Sequence, residues 1–66
     1  MDARKAGERL RELRGGKPQR EVAEAVGVSV MAISQYENGE RVPRPGTMSA
    51  LAKYYGTTVE AIFFTD

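Results

Sequence analysis

The sequence predicts an all-α domain of five short helices. Three observations carry that reading. Apolar residues recur at three- and four-residue spacings, and no stretch alternates with the period of two that marks a half-buried strand. Gly15-Gly16, Gly27, Asn38-Gly39 and Gly56 follow the periodic segments, where a left-handed residue would end a helix. The length of 66 residues allows one domain over 1–66. Folding at that size buries only about 60% of the surface of the unfolded chain, so a large internal cavity is not expected.

Asp2 to Arg14 reads as an amphipathic helix, with Ala6, Leu10 and Leu13 on one side, Asp2 as its cap and Gly15-Gly16 as its stop. A second helix is expected from about Gln19 to Val26, with Val22, Ala23 and Val26 on one face and Gly27 as the turn residue. Ser29 then caps a third, Val30 to about Asn38. Glu40 to Gly46 holds two prolines and no periodicity, which predicts a loop. Thr47 to Tyr55 is expected as the fourth helix, with Met48, Leu51 and Tyr55 inward and Gly56 closing it. Thr57 and Glu60, three apart, suggest a capping box for a last short helix through Ile62 and Phe63.

Composition excludes several functions. The chain has no Cys and no His, which removes disulfides, thiolate nucleophiles, Cys-based metal sites and the usual acid–base side chain near neutral pH. No Gly-rich phosphate loop or metal-ligand cluster is present. Asp2, Asp66 and the scattered Glu residues read as caps and solvated helix faces. An enzyme is therefore not expected, nor a cofactor or a small-molecule ligand. No apolar run is long enough for a membrane span or follows the N-terminal charges as in a secretion signal, so the expectation is a soluble, intracellular domain.

Two short helices joined by a Gly-containing turn in an all-α domain call for a helix-turn-helix test. Close crossing needs a small residue midway along the first helix, and Ala23 stands there. Val22, Val26, Val28, Ile33 and Tyr36 fall on the inward side. Val30, Met31, Ser34, Gln35 and Asn38 are left along the outward face of the second helix.

The run from Gln19 to Gly39, QREVAEAVGVSVMAISQYENG, closely resembles the helix-turn-helix of the Cro/phage-repressor (XRE) family. The resemblance extends through Leu10–Arg14, Arg41-Val42-Pro43, Leu51–Gly56 and Val59–Phe63, essentially the whole chain. It implies a lambda-repressor-like fold and a stand-alone, cytoplasmic, nucleoid-associated regulator of bacterial or phage origin. Lys17-Pro18 departs from the family pattern by replacing the usual Ser/Thr cap before Gln19, and Glu40 stands where Lys or Arg is frequent.

Base contact is expected from Val30, Met31, Ser34 and Gln35. Apolar tips pack on thymine methyl groups, whereas a carboxamide pairs bidentately with adenine N6/N7. Gln19 falls where the resemblance places a phosphate contact, and the free N–H groups of a helix start favour phosphate there. Lys17, Asn38, Arg41 and Arg44 are the other expected backbone contacts, with a narrow minor groove as the alternative for Arg44. Arg14 and Glu37 match two family positions that form a partly buried ion pair tying the first helix to the end of the reading helix.

The expected function is sequence-specific recognition of a roughly palindromic double-stranded DNA operator by a homodimer, most simply as a transcriptional repressor. The alternative is a protein-interaction module, an antitoxin or anti-repressor, using the apolar Val30-Met31 surface. The formal net charge of +1 conceals a segregation. Residues 1–20 carry seven basic and three acidic side chains, residues 21–40 none and four, and residues 41–66 three and two. The basic groups thus lie before the motif and in the loop after it.

Overall fold

The computed structural model describes residues 1–65, so Asp66 lies outside the described residues. Five helical elements follow one another: α1 (Ala3–Arg14), α2 (Gln19–Val26), α3 (Val30–Glu37), α4 (Pro45–Tyr55) and α5 (Glu60–Phe64), the last a single wide π-type turn. Among the described residues there is no strand.

Local chemistry accounts for most boundaries. Asp2 accepts hydrogen bonds from the backbone N–H groups of Arg4 (3.0 Å) and Lys5 (3.1 Å), which fixes the start of α1 and holds its carboxyl below the usual value, the Lys5 bond having the largest effect. Gly15, at φ 58°, ends the helix. The short link to α2 is then held by Arg14, whose carbonyl accepts from Lys17 N (3.1 Å) and whose Nη1 donates to the Lys17 carbonyl (2.7 Å). α2 starts after Pro18 without a side-chain cap, as Lys17-Pro18 implied.

Two boundaries differ from expectation. α4 begins at Pro45 instead of Thr47, because proline's fixed φ and missing N–H suit the first helical position. The proline-rich loop therefore ends earlier than expected, at Arg44. The capping oxygen before α5 belongs to Thr58, which accepts from Ala61 N at 3.0 Å, and not to a Thr57/Glu60 box.

The core is built on small residues. Ala6, Ala23, Ala32 and Ala52 are buried beside Leu10, Val22, Ile33, Leu51, Ile62 and Phe63, so short helices approach closely in a body of 27 × 22 × 22 Å. α1 packs chiefly on α3 and α5, and α2 on α3 and α4. Leu13 does not join this core but is 39% exposed; Gly7 is buried in its stead. A Cβ at Gly7 would stand 2.5 Å from the Glu37 carbonyl oxygen and 2.6 Å from that of Tyr36, so α1 crosses the end of α3 backbone to backbone. Tyr55, Val26 and Val28 are half-buried at the margin of the core.

Candidate nucleic-acid interface

The turn between α2 and α3 is set by Gly27 at φ 77°, with the N–H groups of Gly27 and Val28 both donating to the Ala23 carbonyl at 2.9 and 3.0 Å. Ser29 Oγ accepts from Ala32 N at 3.0 Å and starts α3. Gly39, at φ 73°, closes α3, its N–H donating to the Tyr36 carbonyl and that of Glu40 to the Gln35 carbonyl. The Gly39 backbone lies against α1, where an added Cβ would be 2.9 Å from Arg4 Cα. Both ends of α3 are thereby fixed.

α3 turns Ala32, Ile33, Tyr36 and Glu37 inward. Its outward strip carries Val30 and Met31, 42% and 70% exposed, then half-buried Ser34 and Gln35, and exposed Asn38 at the C-cap. Val30 and Met31 are two of the chain's exposed large apolar side chains and stand side by side at the start of α3.

Behind the strip lies a charged hub. Glu37 is 4% exposed and accepts two bonds from Arg14, Nε to Oε2 at 2.7 Å and Nη2 to Oε1 at 3.0 Å. Gln19 Nε2 donates to the same Oε1 at 3.1 Å, and Arg11 Nε stands 3.9 Å away. The bidentate hydrogen bonds raise the Arg14 pKa above its ordinary value against the opposing effect of burial. Burial pushes the Tyr55 phenol up to about 12, with the Glu37 charge adding to it. One carboxylate thus joins α1, the start of α2 and the end of α3.

The expected backbone-contacting residues occupy different settings. Gln19 spends one amide N–H on Glu37 at the start of α2. Lys17 rests on α4, with Nζ 4.9 Å from the Tyr54 ring centre and 3.4 Å from its hydroxyl, which in turn donates to Glu21 at 3.3 Å. The Lys17 ammonium is therefore engaged beside α2 and α4. Arg41 lies over the Tyr36 ring at 5.9 Å, next to the end of α3, and Arg44 is exposed before α4.

Sequence reasoning missed Arg11. Its Nη2 donates to Asn38 Oδ1 at 2.7 Å, bringing a cation from α1 to the C-terminal end of α3. The signal was its position three residues before Arg14, on the same side of α1. Arg11 and Arg41 thus supply positive charge around a helix end that has no basic residue in its own last turn.

A compact helical body with an exposed strip on the second motif helix and basic groups around it is the build of a DNA reader. The sequence matches the family model described as "Helix-turn-helix" over residues 8–62, which spans all five helical elements at least in part. The chain belongs to this family of Cro/repressor-type (XRE) helix-turn-helix regulators. No curated protein matches it. Members of the family are DNA-binding regulators, so Glu37 and the arginines around it are placed in the frame of a DNA-binding domain. Among the described residues no helix is long and apolar enough to cross a membrane.

Proposed function

We propose that the chain is a sequence-specific regulator, acting as a repressor, that binds a roughly palindromic duplex operator as a homodimer with α3 of each subunit in a major groove. The observation that carries this reading is the division of α3: the inward side is locked by Glu37, and the outward side presents Val30, Met31, Ser34, Gln35 and Asn38. Val30 and Met31 suit thymine methyl groups, and Gln35 an adenine edge. Gln19, Lys17, Asn38, Arg41 and Arg44 are the proposed contacts to phosphate, with Arg14 and Glu37 holding the reading helix.

Selection of bound duplexes from a random pool tests this directly. The expected outcome is a motif with two related half-sites whose centres lie about one turn (~34 Å) apart. With about four phosphates neutralised per subunit, a dimer should show a log–log salt slope near −7, from about −0.9 per phosphate. An unenriched pool, or binding indifferent to salt, overturns the reading. A second reading has one observation in its favour, the 70% exposure of Met31 on an apolar step that would also suit a protein groove. Replacing Met31 and Gln35 by Ala separates the two. Loss of operator affinity supports the DNA reader, and loss of protein association with unchanged DNA affinity supports the interaction module.

A further inference from the structure

We propose that Arg11, on α1 and outside the reading helix, is a phosphate-contacting residue that clamps the duplex backbone at the C-terminal end of α3. This rests on the DNA-reading role of α3 proposed above. Arg11 and Arg14 stand three apart on one side of α1, and their surroundings divide them. The Arg14 side chain is 18% exposed, gives Nε and Nη2 to Glu37 and Nη1 to the Lys17 carbonyl, and has little left to offer a ligand. The Arg11 side chain is 58% exposed, and among the described residues its one hydrogen bond runs from Nη2 to Asn38 Oδ1 at 2.7 Å. A guanidinium carries more N–H donors than one bond uses, so Arg11 keeps donors for a ligand.

Place and charge both favour a phosphate. Asn38 is the C-cap of α3 and its Nδ2 lies 3.5 Å from Ser34 Oγ, which puts the Arg11 guanidinium at the edge of the outward strip. The carbonyl end of a helix carries partial negative charge and repels phosphate unless a cation stands there. α3 has no basic residue in its last turn; Arg11 brings a cation from α1, and Arg41 over the Tyr36 ring adds a second. Glu37, 3.9 Å from Arg11 Nε, does not cancel this charge, because its own is matched by the bidentate bonds of Arg14. Two arginines against one glutamate leave a net +1, and the exposed arginine presents it. Lys17 is the contrast: its ammonium already rests on the Tyr54 ring, 4.9 Å from the centre, so part of its attraction for a phosphate is used.

The test uses the full chain and the duplex enriched from the random pool, and compares the wild type with Arg11→Met, Arg11→Gln, Arg11→Lys and Lys17→Met. Each phosphate neutralised contributes about 0.9 to the log–log salt slope. Arg11→Met and Arg11→Gln should therefore flatten the slope of a dimer by about 1.8, from about −7 to about −5. Arg11→Lys keeps the charge and should keep the slope. Lys17→Met should change it less than Arg11→Met does. Base preferences at every half-site position should stay as in the wild type, because loss of a phosphate contact weakens all sequences alike.

A second arm locates the contact by replacing one backbone phosphate at a time with a neutral methylphosphonate. In the wild type this should cost roughly threefold to tenfold in affinity at the clamped phosphate of each half-site, the size of one contact between charges. In Arg11→Met the penalty at that phosphate should vanish while the other penalties remain. The proposal is overturned by an unchanged salt slope in Arg11→Met, which would leave Arg11 a structural link between α1 and α3. It is also overturned if Lys17→Met flattens the slope more than Arg11→Met, or if no phosphate loses its penalty in Arg11→Met. Failure of the underlying reading is distinct, because the wild type itself would then enrich no duplex.

Discussion

Within its eight residues α3 presents one side to the protein and the other to solvent, and the two sides are held in different ways. On the inward side Ala32, Ile33 and Tyr36 pack on the core, and Glu37 is fixed by bonds from Arg14 and Gln19. On the outward side Val30 and Met31 are exposed, Ser34 and Asn38 share one long contact, and Asn38 is held by Arg11. Position is determined on one side and chemistry is displayed on the other. If this division is real, substitutions on the inward side should cost stability first, and substitutions on the outward side should cost recognition alone.

The largest effect is expected at the hub. Arg14→Met leaves Glu37 buried without its bidentate partner, and Glu37→Ala leaves the guanidinium with the Lys17 carbonyl alone and deprives the Gln19 amide of the Glu37 acceptor. Removing one partner of a buried pair costs about 3–5 kcal/mol. For a domain of this size that lowers Tm by ~12 °C or more, measurable by circular dichroism. The double replacement Arg14→Met with Glu37→Leu should recover part of the loss, because no charge is then left unpaired. A hub that tolerates either single change would remove the inward half of the comparison.

Gly7→Ala comes next. Its Cβ would meet two backbone carbonyl oxygens at 2.5 and 2.6 Å, and backbone cannot swing aside as a side-chain tip can. Overpacking of this kind costs about 1–3 kcal/mol. The shift should fall on the end of α3, so operator affinity measured well below Tm should fall as well. Unchanged affinity would mean that α1 does not set the height of the reading helix.

How far the sequence foretold this arrangement depends on the range of the signal. Helix limits at Gly15, Gly27, Ser29 and Gly56 were legible because cap and stop chemistry is local. The start of α4 is not legible, because a proline such as Pro45 suits a loop and a first helical turn equally well. Apolar spacing points to Leu13 as inward and says nothing of Gly7, because it identifies leucine more readily than the glycine a close crossing requires. The pairing of Arg14 with Glu37, 23 residues apart, came from the family resemblance and not from spacing. Arg11 went unassigned because its partner Asn38 is 27 residues away, and no local pattern announces such a bond.

A smaller effect should appear at alkaline pH. The Tyr55 phenol titrates at about 12 in the folded chain against an ordinary 10.0, mainly because half-burial disfavours the phenolate and secondarily because Glu37 is close. The folded state therefore holds this proton more tightly than the unfolded state. The associated stability is complete below pH 10 and is lost as pH rises toward about 12. Tyr55→Phe should flatten that part of the Tm–pH curve, and identical curves for the two proteins would detach Tyr55 from the hub.

The smallest effect on stability, and the sharpest test of the outward side, is expected from Met31→Ala and Gln35→Ala. Met31 is 70% exposed, and neither residue's side chain belongs to the core, so each change should leave the unfolding free energy within about 0.5 kcal/mol of the wild type. Operator affinity should nevertheless fall, and in different ways. Met31→Ala should reduce discrimination of thymine from cytosine at one position through loss of methyl packing, whereas Gln35→Ala should relax an adenine preference at a neighbouring one. Each is measured as the ratio of affinities for matched duplexes, beside the salt slope, which should not change because no phosphate contact is removed. A drop in Tm together with affinity would show that the outward strip also supports the fold, and the two sides of α3 would then no longer be separable.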